Sequence, residues 1–160
     1  MTQAQIILTP TTPEHLPTLF HFQQNPEGIH LAAFTAKDPN DEAAYMEKYT
    51  KLLADPTINN QTIWIDGVIV GSLAKYEMEG EAEITYWIDR KFWGRGIATA
   101  ALKAFLKIEL TRPIFGRAAF DNYGSQKVME NCGFVRIGTD RGFANARQEE
   151  IEEIIYKLSF

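Results

Sequence analysis

Two periods alternate along this chain. Ile6-Ile7-Leu8 is a short apolar run stopped by Thr9-Pro10 and predicts a first strand. Leu16, Leu19, Phe20 and Gln23 then recur at helical spacing, behind Thr12-Pro13-Glu14, which reads as N-cap, first-turn proline and acid. Pro17 fits poorly in a helix beginning at Pro13, so the start belongs later. Asn25-Pro26-Glu27-Gly28 reads as a break, and the stretch to Asn40 as irregular. A second helix is expected from about Asp41, with Tyr45, Tyr49, Leu52 and Leu53 on one face.

The period then drops to two. Residues 62–65 and 68–74 flank Asp66-Gly67, a strong hairpin signal, and Met78-Glu79-Gly80 marks the turn into a third strand, Ala82 to Ile88. Beyond it, Ala98, Leu102, Phe105 and Leu106 predict a helix that Arg112-Pro113 ends. Ile114 to Phe120 reads as a strand, and Asp121-Asn122 opens a short helix with Val128, Met129 and Cys132 inward and Gly133 as C-cap. Phe134–Ile137 and Ile151–Leu158 are the last strands, separated by a polar loop around Gly142. The order β-α-α-β-β-β-α-β-α-β-β describes an α/β (α+β) fold with a mixed, mostly antiparallel sheet flanked by helices. No repeat or linker interrupts it, so residues 1–160 are expected to form a single domain.

Composition narrows the partners. A formal charge of −5 lacks the basic footprint of a nucleic-acid binder and mildly favours a cationic one. No apolar run is long enough to span a membrane. The N-terminus shows no secretory pattern, and a lone cysteine excludes an internal disulfide framework, so the expected location is cytoplasmic. His15, His21 and His30 lack metal-ligand spacing, and no metal is expected.

The stretch from Trp87 to Thr99 carries the chemistry. It reads as a strand end, a turn bearing Gly94 and Gly96, and a helix start, where free N–H groups meet the positive end of the helix dipole. Acids are the stabilising neighbours of such an end. Here Arg90, Lys91 and Arg95 stand instead, as if a phosphate-bearing ligand supplied the negative charge. A parallel dinucleotide-binding unit would place glycines similarly, but an antiparallel meander precedes these ones and the strand after the helix lacks the acid.

Tyr86-Trp87-Ile88-Asp89-Arg90-Lys91-Phe92-Trp93-Gly94-Arg95-Gly96-Ile97-Ala98-Thr99 resembles the acetyl-CoA motif of the GNAT superfamily of N-acetyltransferases, R/Q-x-x-G-x-G/A, with Lys91 in the place of Arg or Gln. The aromatic-Trp-Gly lead-in and the block Asn122 to Phe134 are most similar to the RimJ/RimL branch, which resembles ribosomal-protein N-terminal acetyltransferases. The resemblance implies a GNAT-like acyl-CoA N-acyltransferase fold and acetyl-CoA as the donor. It also implies an amine acceptor, such as a protein N-terminus or a small-molecule amine, attacking directly in a ternary complex. The pyrophosphate would lie on the amides of Gly94, Arg95, Gly96, Ile97, Ala98 and Thr99, with Lys91 nearby. The pantetheine arm would pair with the backbone at Trp87, Ile88 and Asp89.

The same resemblance puts a carboxylate base on the central strand, where Glu83 is the nearest match; its other reading is an exposed strand-end acid. Many relatives carry a tyrosine acid where this chain has Met129. The RimJ/RimL-like serine falls on Ser125, which either hydrogen-bonds the CoA sulfur or satisfies an amide in the helix's first turn. Asn122 reads both as a pantetheine contact and as an N-cap. The missing tyrosine keeps a non-catalytic acyl-CoA- or partner-binding module as the alternative. Monomer and homodimer are both open.

Overall fold

The computed structural model describes residues 5–160; Met1–Ala4, part of the stretch read for a leader, lie outside them. Strand β1 (Ile6–Pro10) leads through a 3-10 turn (Pro13–His15) into α1 (Leu16–Phe22), then α2 (Pro26–Ala32) and α3 (Glu42–Ala54). The meander β2 (Asn59–Ile65), β3 (Val68–Met78) and β4 (Glu81–Ile88) follows, then a 3-10 turn (Arg90–Phe92) and α4 (Ile97–Ile108). Strand β5 (Ile114–Ala119), α5 (Tyr123–Asn131), β6 (Val135–Ala144) and β7 (Glu149–Leu158) complete the chain. The seven strands of the described residues join one sheet in the order β1-β2-β3-β4-β5-β7-β6.

The α-helix does start later than Pro13, as Pro17 required: residues 13–15 form a separate 3-10 turn, the helix begins at Leu16, and Pro17 falls in its first turn. Two expectations need correction. Residues 26–32 are a helix, not irregular chain. Asn25-Pro26 is a start signal there: Asn25 Oδ1 accepts the Gly28 N–H at 2.8 Å, and Pro26 occupies the first helical position. The polar loop around Gly142 is mostly strand. β6 runs to Ala144 along the sheet edge and pairs with β7 from Val135↔Lys157 to Ala144↔Glu149. An edge strand exposed along most of its length has no apolar alternation to betray it.

The core lies between the sheet and helices α4 and α5. Ile97, Ala101, Leu102 and Phe105 of α4 are buried against Ile63, Val70, Ile84, Ile88 and Ile114 of the sheet, with Met129 of α5. Helices α1, α2 and α3 cover part of the other face. α3 buries no residue fully; its Tyr45 and Tyr49 stack at 4.4 Å and turn toward a cavity.

One feature of the sheet sets up the site. β4 pairs with β3 over its whole length but with β5 only at Ala82↔Ile114 and Glu83↔Phe115. Past Glu83 the two parallel strands separate, while β5 stays paired with β7 along its opposite edge to Ala119.

Candidate active site

The gap between β4 and β5 opens a continuous cavity of about 1000 Å3. At one end it is lined by Gly94, Ile97, Ala98 and Thr99, in the middle by Tyr86, Trp87, Ile88, Asn122 and Ser125, and at the far end by Tyr45, Tyr49, Tyr76, Glu83, Arg117 and Glu153.

The near end is made of backbone. Gly94 and Gly96 have φ of +77° and +74°, the left-handed region that an L side chain resists, and a Cβ at either would meet open space. Gly96 is the N-cap of α4; it offers no side chain to the first-turn amides, and that turn carries no acid. The first intrahelical bond is Ala100 N–H to Gly96 C=O, so the amides of Ile97, Ala98 and Thr99 have no acceptor within the helix.

The basic residues divide by role. Arg90 is committed to Glu27 at 2.9 Å and stacks 4.7 Å over Trp93. Lys91 and Arg95 are exposed and make no ion pair among the described residues; Arg95 lies over the Phe92 ring. Neither they nor Gly96 and Asp89 line the cavity itself.

Strand β4 presents its amides in alternation. Asp89 N–H donates to Val70 C=O of β3 at 2.8 Å, so the N–H of Trp87 points to β3 as well, while those of Tyr86 and Ile88 turn into the opening. Of the three residues expected to meet the pantetheine arm, Ile88 alone aims its backbone there. Trp87 supports α1 instead, its Nε1 donating to Phe22 C=O at 3.1 Å. Asp89 is buried and caps the 3-10 turn through Lys91 N–H. Trp93 Nε1 donates to Ile88 C=O at 2.9 Å, which fastens the turn to the strand end.

Ser125 and Asn122 open α5. Asn122 Oδ1 accepts Ser125 N–H at 3.2 Å, and its Nδ2 donates to Leu31 C=O, joining α5 to α2. Ser125 Oγ meets the Tyr86 hydroxyl at 2.6 Å. Tyr86 was not singled out in the sequence; its place in the strand before the glycine turn was the available signal.

Glu83 is not an exposed strand-end acid: its side chain is only 2% exposed. It lies 3.3 Å from Arg117 Nε, yet neither Glu83 Oε1 nor Arg117 Nε makes an aligned hydrogen bond. Arg117 is held from behind by Glu153 at 2.9 Å and Asp140 at 3.2 Å. Burial raises the Glu83 carboxyl above its ordinary value, with Arg117 opposing. Glu83 also lines the cavity, so a carboxyl whose proton affinity burial raises stands beside that space. Nothing in the local sequence around Arg117 or Asp140 marks them as neighbours of Glu83.

A family model for the acetyltransferase (GNAT) domain matches residues 5–135. The chain belongs to the GNAT acetyltransferase family. YdaF of Bacillus subtilis (strain 168), provisionally named a ribosomal N-acetyltransferase, is 31% identical over 147 residues, 84% of this chain and 79% of that protein. Among solved structures, RimL, a ribosomal-protein alpha-N acetyltransferase in complex with coenzyme A, has a TM-score of 0.83 at 17% identity, covering 99% of this chain and 96% of that one. A microcin self-immunity acetyltransferase, MccE, in complex with acetyl-CoA and AMP, has a TM-score of 0.82 at 19% identity, covering 99% and 94%. At these identities the two structures speak for the fold alone. This GNAT protein is an acetyl-CoA-dependent N-acetyltransferase, with acetyl-CoA as the acetyl donor and an amine as the acceptor.

Proposed function

We propose that the donor lies along the near half of the cavity, and that the acceptor amine enters from the α3 side to meet it at the β4–β5 opening. The observation that supports this most is the continuity of one cavity from the uncapped start of α4 to the Glu83 carboxyl. Acetyl-CoA supplies the activated acetyl group, a thioester carbonyl open to attack. The amides of Gly94 to Thr99 hold its pyrophosphate, with Lys91 and Arg95 adding positive charge from the rim. Ile88 N–H donates to the thioester carbonyl oxygen where charge gathers during attack.

Glu83 takes a proton from the acceptor ammonium, so that a neutral amine attacks. As the new C–N bond forms and the C–S bond breaks, Ser125 donates a hydrogen bond to the departing sulfur. The nitrogen sheds two protons in all; the thiolate takes one, and the other leaves to solvent through Glu83. Tyr45, Tyr49 and Tyr76 wall the acceptor's approach.

For the acceptor we read the α-amine of a protein N-terminus. Glu83, Glu153 and Asp140 surround a single guanidinium, a balance that favours an arriving cation. Arg117, beside the proposed base, suits an acceptor whose amine stands one carbon away from a carbonyl, as in a peptide and not in a polyamine. YdaF's name points the same way. A ribosomal acceptor would place the reaction in the cytoplasm.

Release of free CoA thiol, measured with short peptides and with polyamines, tests this. Faster release with peptide α-amines is expected. Equal or faster release with spermidine removes the N-terminal reading. Binding of acetyl-CoA without release to any amine would return the non-catalytic alternative.

A further inference from the structure

A serine hydroxyl can occupy three staggered positions, and its proton can rotate within each. To serve a departing sulfur it must be fixed in one of them with its proton turned outward. The backbone of Ser125 is set by the Asn122 cap, but that cap does nothing for the side chain. Its hydroxyl is met by Tyr86, reaching across from β4 with its own hydroxyl 2.6 Å away. The contact is at the short end for paired hydroxyls. The Tyr86 ring packs against the core cluster beneath, so the phenol does not swing freely.

We propose that Tyr86 is a positioning residue for acetyl transfer: its phenol donates to Ser125 Oγ and leaves the serine proton free to face the thioester sulfur. A phenol is a far stronger acid than an aliphatic alcohol, so the phenol is the better donor of the pair and the serine oxygen the better acceptor. Accepting that bond also polarises Ser125 and strengthens its own donation. Burial pushes the Tyr86 hydroxyl up to about 12, so it keeps its proton at any working pH. Tyr86 stays neutral throughout. When the C–S bond breaks, the charge left on sulfur is met by the Ser125 hydrogen bond, and the proton that completes the thiol derives from the acceptor nitrogen. The role rests on the reading of Ser125 given above.

Tyr86→Phe keeps the ring in the core and removes only the hydroxyl. Steady-state kcat and KM would be measured for this variant, for Ser125→Ala and for the double variant, with acetyl-CoA affinity by titration. Each single change is expected to lower kcat about tenfold, the worth of one hydrogen bond, with acetyl-CoA affinity and KM held within about twofold. The double variant should be no slower than the slower single one, because both changes break one relay. A general packing role would raise KM or weaken acetyl-CoA binding, and that result overturns the proposal. So does a Tyr86→Phe enzyme with full kcat, or a double variant whose loss is the product of the single losses. If Ser125→Ala retains full kcat, the serine's own role falls and this inference with it. If Ser125→Ala is slow while Tyr86→Phe is not, the inference alone falls.

Discussion

On the function proposed above, the two ends of the cavity recognise their ligands by different means. The proposed donor end is built from one contiguous stretch and would act through its backbone: two left-handed glycines, the unpaired amides of α4 and the Ile88 N–H. The proposed acceptor end is built from side chains brought together from far apart: Glu83 of β4, Arg117 of β5 and Glu153 of β7, with tyrosines from α3 and β3, and Asp140 of β6 holding Arg117 from outside the cavity. A backbone site leaves a local pattern in the sequence, since it needs glycines at set spacing. A site of convergent side chains leaves none, because every member is an ordinary residue until the sheet assembles. The same division predicts how the ends fail: the donor end through conformation, the acceptor end through charge.

The largest separation of the two ends should come from Glu83→Gln, which removes the proposed base and nearly preserves shape. Turnover is expected to fall at least about a hundredfold, within the range for a lost general base. Acetyl-CoA affinity by titration should be unchanged. Burial holds the Glu83 carboxyl above its ordinary value, and the base works only when ionised. The wild-type rate should therefore climb with pH through that raised value, and the Gln variant should lose this limb. Equal loss of donor binding would erase the distinction between the ends.

Gly96→Val attacks the donor end alone. A Cβ there meets nothing, so crowding is not the fault. The penalty is conformational, since φ of +74° suits a β-branched residue badly. The free chain would relax away from the conformation the pyrophosphate requires. Binding would then have to restore it at about 1–2 kcal/mol, weakening acetyl-CoA roughly tenfold. Acceptor KM at saturating donor should hold. A change in acceptor KM as large as the change in donor affinity would show that the ends are coupled through the turn.

Legibility followed the same line. The hairpin at Asp66-Gly67, the meander and the helix of Leu102 and Phe105 were plain because period and turn chemistry agree there. α2 was missed because Asn25-Pro26 has two meanings, break or start, and only the Gly28 N–H bond to Asn25 decides between them. The length of β6 was missed because an edge strand need not alternate. In the site, Gly94 and Gly96 were visible from their spacing. The burial of Glu83 was not, because that burial is made by Arg117 and its partners on strands up to 70 residues away. Tyr86 and Trp87 stand side by side in sequence, yet strand alternation turns one toward Ser125 and the other toward α1.

Arg147 offers the smallest effect on turnover and the clearest control. It pairs with both oxygens of Asp121, at 2.8 and 2.9 Å, and donates to His30 C=O at 2.8 Å. It thereby ties the β6–β7 turn to α2 and to the entry of α5 without itself lining the cavity. Arg147→Met should cost about 1–2 kcal/mol of stability, the scale of a charge-assisted hydrogen-bonded pair at the margin of the surface. That is a few degrees in a thermal melt for a chain of this size. The Asp121 carboxyl is held below its ordinary value, first by the Arg147 hydrogen bond. The folded chain therefore binds that proton less readily than the unfolded chain, and the pair's contribution is full above the ordinary carboxylate value. It is lost as pH falls through the lowered folded value, so wild type and variant should converge in stability on acidification. Turnover per folded molecule should stay within about twofold at neutral pH, as for a change remote from the reacting atoms. A larger loss would mean that the frame behind the cavity sets the geometry of both ends together, and the division between them would be one of chemistry only.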